Sequence, residues 1–181
     1  MRELIPLARR RTAILTIESA LARIEASHPG RPLVVVSALA AGADRLLAEA
    51  VLRRPGARLR VVLPLPKFDF LDDFAMPALK EEFLRFLART DEVAELPARA
   101  SRDQAYAAAS DRVLDGVDVL VAVRDGQAAQ GRAETAEVVA RGHARRLPLA
   151  WVHGGNRKSG TVEATSPGAD QGRVTHENLL R

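Results

Sequence analysis

The residues best suited to chemistry lie in two stretches, each joining an apolar run to a helical pattern. In the first, Ser37-Ala38-Leu39-Ala40-Ala41-Gly42 follows the run Leu33–Val36 and precedes a helical pattern from Asp44 to Arg53. Backbone N–H groups of so small a loop, through Gly42, can hold a phosphate, with Ser37 donating a further hydrogen bond and Asp44 reaching a ribose. The same residues also suit a compact turn packed against its helix, with Asp44 complementing the dipole in the first helical turn. Both readings stand on the sequence.

The second stretch runs from Val117 to Gly142, VDVLVAVRDGQAAQGRAETAEVVARG. Val119–Val123 is uncharged and β-branched at alternate positions, as in a strand buried on both faces of a parallel sheet. Arg124-Asp125-Gly126 breaks it as a polar turn. Helical spacing of Ala133, Ala136, Val139 and Ala140 then predicts a helix over about 132–145. A helix N-terminus beside the carboxyl edge of a sheet is a ready anion site. Gly131, Arg132 and Thr135 could bind a phosphate there, with Arg124 at the rim, an arginine clamping bidentately. Glu137 could hydrogen-bond a ribose or polarise a glycosidic bond. Equally, Thr135 and Glu137 suit any helix start, and most such arginines lie on the surface.

Elsewhere the candidates thin out. FDFLDDF at 68–74 reads as a loop anchored to the core by its phenylalanines, or as a lid or adenine-stacking wall. His153, just after the last predicted strand, is a candidate for acid–base work, but the sequence holds four histidines and no paired nucleophile. No Ser-His-Asp set, histidine-rich metal spacing or intact P-loop can be assembled, so no metal and no cofactor are expected.

The elements that must position these residues follow from periodicity and punctuation. Helices are predicted over about 7–27, 44–53, 78–88, 101–114 and 132–145. Leu7, Ile14, Leu15, Ile17, Ala20, Leu21 and Ile24 line the first; Leu79, Phe83, Leu84 and Leu87 line the third; Ser101 caps the fourth, with Tyr106 and Val113 facing in. Strands are predicted over 33–36, 59–63, 92–96, 119–123 and 147–152, and the span 153–172, lacking periodicity, as a loop or tail. Strands alternating with helices indicate an α/β fold: a parallel sheet of about five strands with helices on both faces.

At 181 residues one domain with a substantial core is expected. With no cysteine, disulfides and thiolate metal sites are excluded. No apolar run approaches the roughly 18 residues of a membrane span, so no membrane partner and a cytoplasmic location are expected. The net charge is +4, and arginine outnumbers lysine 24 to 3. The arginines are scattered among acids, and one Trp and one Tyr make no base-stacking platform, which argues against nucleic acid as a partner.

Taken in order, VVVSALAAGADRLLAEAVL (34–52), VVLPLP (61–66), the aromatic-acidic segment and VLVAVRDGQAAQGRAETAEVV (119–139) resemble a bacterial group, the SLOG superfamily. These are Rossmann-like nucleotide-binding domains related to the lonely-guy phosphoribohydrolases and DNA-processing protein A. The resemblance implies a Rossmann-like domain over 1–152 and a loop-rich C-terminal tail over 153–181. Members usually open with a strand ending in Gly-His-Arg; Met1-Arg2 stand where its last two residues would fall, so the resemblance implies that this strand is absent here. Ala133-Glu134 replace the usual two glycines before Thr-Ala-Glu, placing a carboxylate where a phosphate would approach the backbone. The implied function is binding of a nucleotide or nucleotide-derived small molecule, in the manner of a sensor. The alternatives are a lonely-guy-like hydrolase cleaving the N-glycosidic bond of a nucleoside monophosphate with Glu137 as catalytic carboxylate, and a degenerate interaction domain. Related enzymes are often dimers, which implies a homodimer.

Overall fold

The computed structural model describes residues 7–124, 135–153 and 173–178. In chain order the elements are α1 (Leu7–Ser27), β1 (Val34–Ser37), α2 (Ala43–Val51), β2 (Arg58–Leu63), α3 (Lys67–Leu71) and α4 (Pro77–Leu87). They continue with β3 (Glu92–Glu95), α5 (Arg102–Leu114), β4 (Leu120–Arg124), α6 (Thr135–Ala144), β5 (Leu149–His153) and β6 (Val174–Glu177). The α/β class is as expected. The sheet is not: the described strands form two sheets of three, β1-β2-β3 and β4-β5-β6, rather than one of about five. Among the described residues no strand pairs the second edge of β1 or of β4. The chain divides accordingly into two compact units, one spanning Pro32–Val117 and one holding α1 with the described residues from Asp118 onward.

In the first unit, β1 pairs β2 and β2 pairs β3, all parallel, with Val35 opposite Leu59 and Val61 opposite Val93. Its middle strand, β2, buries Leu59 and Val61–Leu63, the nearly continuous apolar run of a strand covered on both faces. β3 leaves Glu92 and Glu95 exposed, charges that discourage further pairing at that edge. Gly56, at φ 71, makes the positive-φ turn between α2 and β2 that a side chain resists. Pro77 opens α4 at a position where its missing N–H costs nothing. Ser101 caps α5 as predicted, its side chain accepting from the Gln104 N–H. On α4 the buried stripe is Leu79, Phe83 and Phe86, while Leu84, expected inside, is 40% exposed. Positions 79, 83 and 86 follow the i, i+4, i+7 stripe of a 3.6-residue period, which Leu84 leaves.

The aromatic-acidic segment folds as α3 and the turn after it. Phe70 and Phe74 are buried, meeting edge to face at 5.1 Å, and Phe83 of α4 lies 5.5 Å from each. Two phenylalanines thus anchor the segment, whereas Phe68 is 76% exposed. Asp73 accepts hydrogen bonds from Tyr106 and from Arg102, so the segment is also tied to the start of α5.

In the second unit, β4 and β5 run parallel and β6 returns antiparallel along β5. Leu120, Ala122, Leu149 and Trp151 share one face with Val139 of α6. Ala150 and Val152 point to the other face, where α1 contributes the stripe Ala13, Ile17, Ala20, Leu21 and Ile24. Helices therefore cover both faces of this sheet. Leu15, expected inside, is 64% exposed because it lies off that stripe. β6 is an addition to the sequence reading, and it makes the sheet mixed. It is clasped by Glu177, which accepts from Trp151 Nε1 at 2.8 Å and meets His143 Nε2 at 2.8 Å. Partial burial, and after it the charge of Arg23 on α1, lower the pKa of His176 below its ordinary 6.5. Among the described residues no helix is long and apolar enough to cross a membrane.

Phe83→Ala removes the ring on which Phe70 and Phe74 close, and the cavity is expected to destabilise the protein by about 3–5 kcal/mol in denaturant unfolding. A depressed histidine pKa contributes stability that is present above pH 6.5 and is lost as the pH falls through the folded value. The unfolding midpoint of His176→Gln should therefore drop less than that of the unaltered protein between about pH 7.5 and about pH 5. The difference will be small, because His176 is exposed to screening solvent.

Candidate functional site

Parallel strands deliver all their outgoing loops to one edge, so the β1–α2, β2–α3 and β3–α5 connections leave the first sheet at its carboxyl end. The β1–α2 loop, residues 38–42, is the most constrained of them. Leu39 has φ 56, the left-handed region that non-glycine residues avoid, and it is fully buried. Gly42, the N-cap of α2, has φ 101 and ψ −117, a conformation open in practice to glycine.

Specific bonds hold this backbone from both sides. The Leu39 N–H donates to Ser37 Oγ at 2.9 Å, and the Leu39 carbonyl accepts from Arg45 Nε at 3.0 Å. Ser37 Oγ donates in turn to Asp44 Oδ2 at 2.8 Å, and the Ala40 N–H donates to the same oxygen at 3.3 Å. Ser37, Gly42 and Asp44, predicted as site residues from spacing alone, are thus brought together. Their roles differ from those expected, because the single hydroxyl hydrogen of Ser37 is directed to Asp44. The carboxylate of Asp44 sits on donors that a ligand oxygen would otherwise take. Gly42 provides no side-chain cap to the first turn of α2.

Sequence reasoning missed Arg45. Its side chain is 2% exposed and lies within the first unit. Nη1 donates to the Leu79 carbonyl at 2.8 Å and to Glu82 Oε2 at 2.9 Å, and the guanidinium carbon lies 4.6 Å from the centroid of the Phe74 ring. Nη2 is buried with no hydrogen-bond partner among the described residues. The available signal was an arginine three residues before Ala48, on the side of α2 that the apolar pattern turns inward, but charge made it read as surface.

Of the second predicted group, Arg124 ends β4, paired with His153, and Thr135 opens α6. Glu137 lies in the first turn of α6, exposed, and its Oε1 accepts from Arg141 Nη2 at 2.6 Å, one turn along the same helix. Gly131 and Arg132, with Asp125, Ala133 and Glu134, lie outside the described residues. His153 Nε2 lies 2.9 Å from Thr175 Oγ1, and its ring stacks on Trp151, so it serves the β5–β6 pairing. Among the described residues no group of His, Asp and Glu is placed to hold a metal ion.

Comparison with family models and with curated proteins finds no match for the chain.

Ser37→Ala removes the acceptor of the buried Leu39 N–H and a donor to Asp44. It should lower stability by about 1–3 kcal/mol in chemical denaturation, well beyond the effect of losing a surface hydroxyl.

Proposed function

We propose that the protein binds a nucleotide or nucleotide-derived small molecule at the carboxyl edge of the β1-β2-β3 sheet and acts as a ligand sensor. The observation that carries this reading is the β1–α2 loop. A buried leucine is held at φ 56, a conformation that folding alone disfavours for a residue with a side chain, and the Gly42 that follows takes, at φ 101, one that a side chain would resist. Such strain persists where surrounding bonds over-determine it, and it clusters at ligand-contact sites. The topology supports the reading. The run β1–α2–β2–α3–α4–β3 with spatial order β1-β2-β3 is the strand–helix alternation of a mononucleotide-binding half. In such a half the first strand–helix turn receives the phosphates, and here that turn is residues 38–42 ahead of an α2 N-terminus without a side-chain cap. The resemblance of residues 34–52 and 119–139 to SLOG domains points the same way, to nucleotide binding.

Within this reading Asp44 has the part of a fixed acceptor. Its carboxylate is oriented by Ser37 and Ala40, which suits recognition of hydroxyl groups such as those of a ribose. Phosphate is then met by the α2 amides rather than by Ser37. Binding without turnover is the expected behaviour, because the glycines that precede the acid in the lonely-guy pattern are mostly missing before Glu137.

The test is thermal unfolding against AMP, other nucleotides and ADP-ribose. A ligand at about 100 times its dissociation constant stabilises the fold by roughly 2.7 kcal/mol. For a chain of this size the midpoint should rise by roughly 5–11 °C. Absence of any shift across the panel overturns the proposal. Release of free base from a nucleotide, lost in Glu137→Gln, would replace it with the hydrolase reading.

A further inference from the structure

We propose that Arg45 is the positioning residue of the candidate ligand site: its buried guanidinium holds the β1–α2 loop in its strained conformation and fastens it to α4 and Phe74. The inference rests on the nucleotide-binding reading only for its effect on affinity; the effect on the loop stands without it.

Arg45 is too deeply buried, at 2% exposure, to touch a ligand itself. Everything it does is therefore done through other groups. Nε supports the carbonyl of Leu39, the residue at φ 56. Nη1 reaches two acceptors on α4, the Leu79 carbonyl and Glu82 Oε2. The guanidinium carbon lies over the Phe74 ring at 4.6 Å and over the Phe83 ring at 5.9 Å. One planar group thus joins the loop after β1, the segment after β2 and the helix that follows.

The fork geometry is essential to this arrangement. A lysine ammonium is a point charge with no planar face, and it cannot serve Leu39 on one side and α4 on the other while stacking on a ring. The orphaned Nη2 supports the same conclusion. Were the arginine present only to satisfy α4, a side chain carrying a buried, unanswered N–H₂ group would be a poor choice. The arrangement is explained if the need is for Nε to be held at Leu39 while Nη1 is held at α4.

The guanidinium at its carbonyl and the Ser37 hydroxyl at its N–H hold the same strained residue, Leu39. Removing either support lets φ of Leu39 relax towards negative values, and the Ala40 N–H then leaves Asp44. The amides of the α2 N-terminus would lose their fixed arrangement with it. Preorganised donors bind more tightly than donors that must be ordered on binding.

The test uses hydrogen exchange of backbone amides together with AMP and ADP-ribose as probes, on the full chain. In Arg45→Lys the amides of Leu39 and Ala40 should exchange at least about tenfold faster, with those of Val61 and Val62 in β2 unchanged, as local opening requires. The affinity of whichever probe the unaltered protein binds should fall about tenfold, whereas Arg85→Lys, at an exposed arginine of α4, should leave both readouts near their original values. Loop amides that exchange as before overturn the proposal, and so does a rise shared equally by β2, which marks general destabilisation. Should Arg45→Lys fail to fold, Phe74→Leu decides the matter. It removes the stacking face but keeps apolar volume, and it should speed the two loop amides at least about threefold over β2; unchanged loop amides overturn the proposal. If neither probe binds the unaltered protein, the nucleotide reading fails while the exchange data still judge Arg45.

Discussion

A guanidinium removed from water needs its charge and its donors answered, or the fold loses several kcal/mol to its desolvation. Among the described residues Arg45 meets that constraint at Nε and Nη1, though not at Nη2, by drawing three parts of the first unit onto itself. Leu39 supplies a carbonyl from the loop after β1, Leu79 and Glu82 supply acceptors from α4, and Phe74 supplies a π face. Each of these groups is also fixed by something else: Leu39 by Ser37, Phe74 by Phe70 and Phe83. The polar network and the aromatic cluster therefore share members, and the position of one is the position of the other. Among the described residues the carboxylate on the guanidinium is that of Glu82, and it is partly exposed, so the charge is balanced at the rim of the core.

That sharing explains why the aromatic-acidic segment is anchored to the core and is not a free lid. Phe70 and Phe74 face the core one helical turn apart, Asp73 between them accepts from Tyr106 and Arg102, and Phe68 is left outside. A segment that moved as a lid would have to give up two buried rings, an ion pair and the stacking partner of a buried arginine together. Interactions lost together make a cooperative cost, which local fluctuation does not meet.

Much of the fold was legible because its signals are local. The limits of α1, β2 and α5 follow from apolar period, Pro-Gly punctuation and the Ser101 cap, and these hold to within a residue or so. Three features were not legible, each for a physical reason. Leu84 and Leu15 are apolar but lie off their stripes, and composition alone does not say which apolar residue of a helix faces in. β6, Val-Thr-His-Glu, is too short and too polar to show a period of two; side-chain bonds from Trp151 and His143 to Glu177 secure it on β5. The division into two sheets is a matter of which strands pair, and a sequence pattern carries strands, not partners. The candidate site was half legible. Ser37, Gly42 and Asp44 stand out as small and polar residues at a strand–helix junction, but their mutual bonds do not. Arg45 sits beside Asp44 in the sequence and points into the core, a placement settled by α4 and Phe74, thirty residues away.

On the proposed nucleotide-binding reading, the bond from Ser37 to Asp44 also sets which ligands the β1–α2 loop would favour. A loop of bare amides favours any anion that fits. Here one carboxylate already occupies the Ser37 hydroxyl and the Ala40 amide, so a fixed negative charge lies beside the amides of the α2 N-terminus. Two like charges a few ångströms apart repel, by about 1 kcal/mol at 4 Å even in bulk water and more in a partly buried loop. An isolated phosphate is therefore disfavoured relative to a ligand that brings hydroxyl donors to the carboxylate and a phosphate to the helix. The pairing of donor and anion within one molecule is what a ribose phosphate offers. Discrimination by such a site comes as much from the rejection of simple anions as from attraction to the ligand it fits.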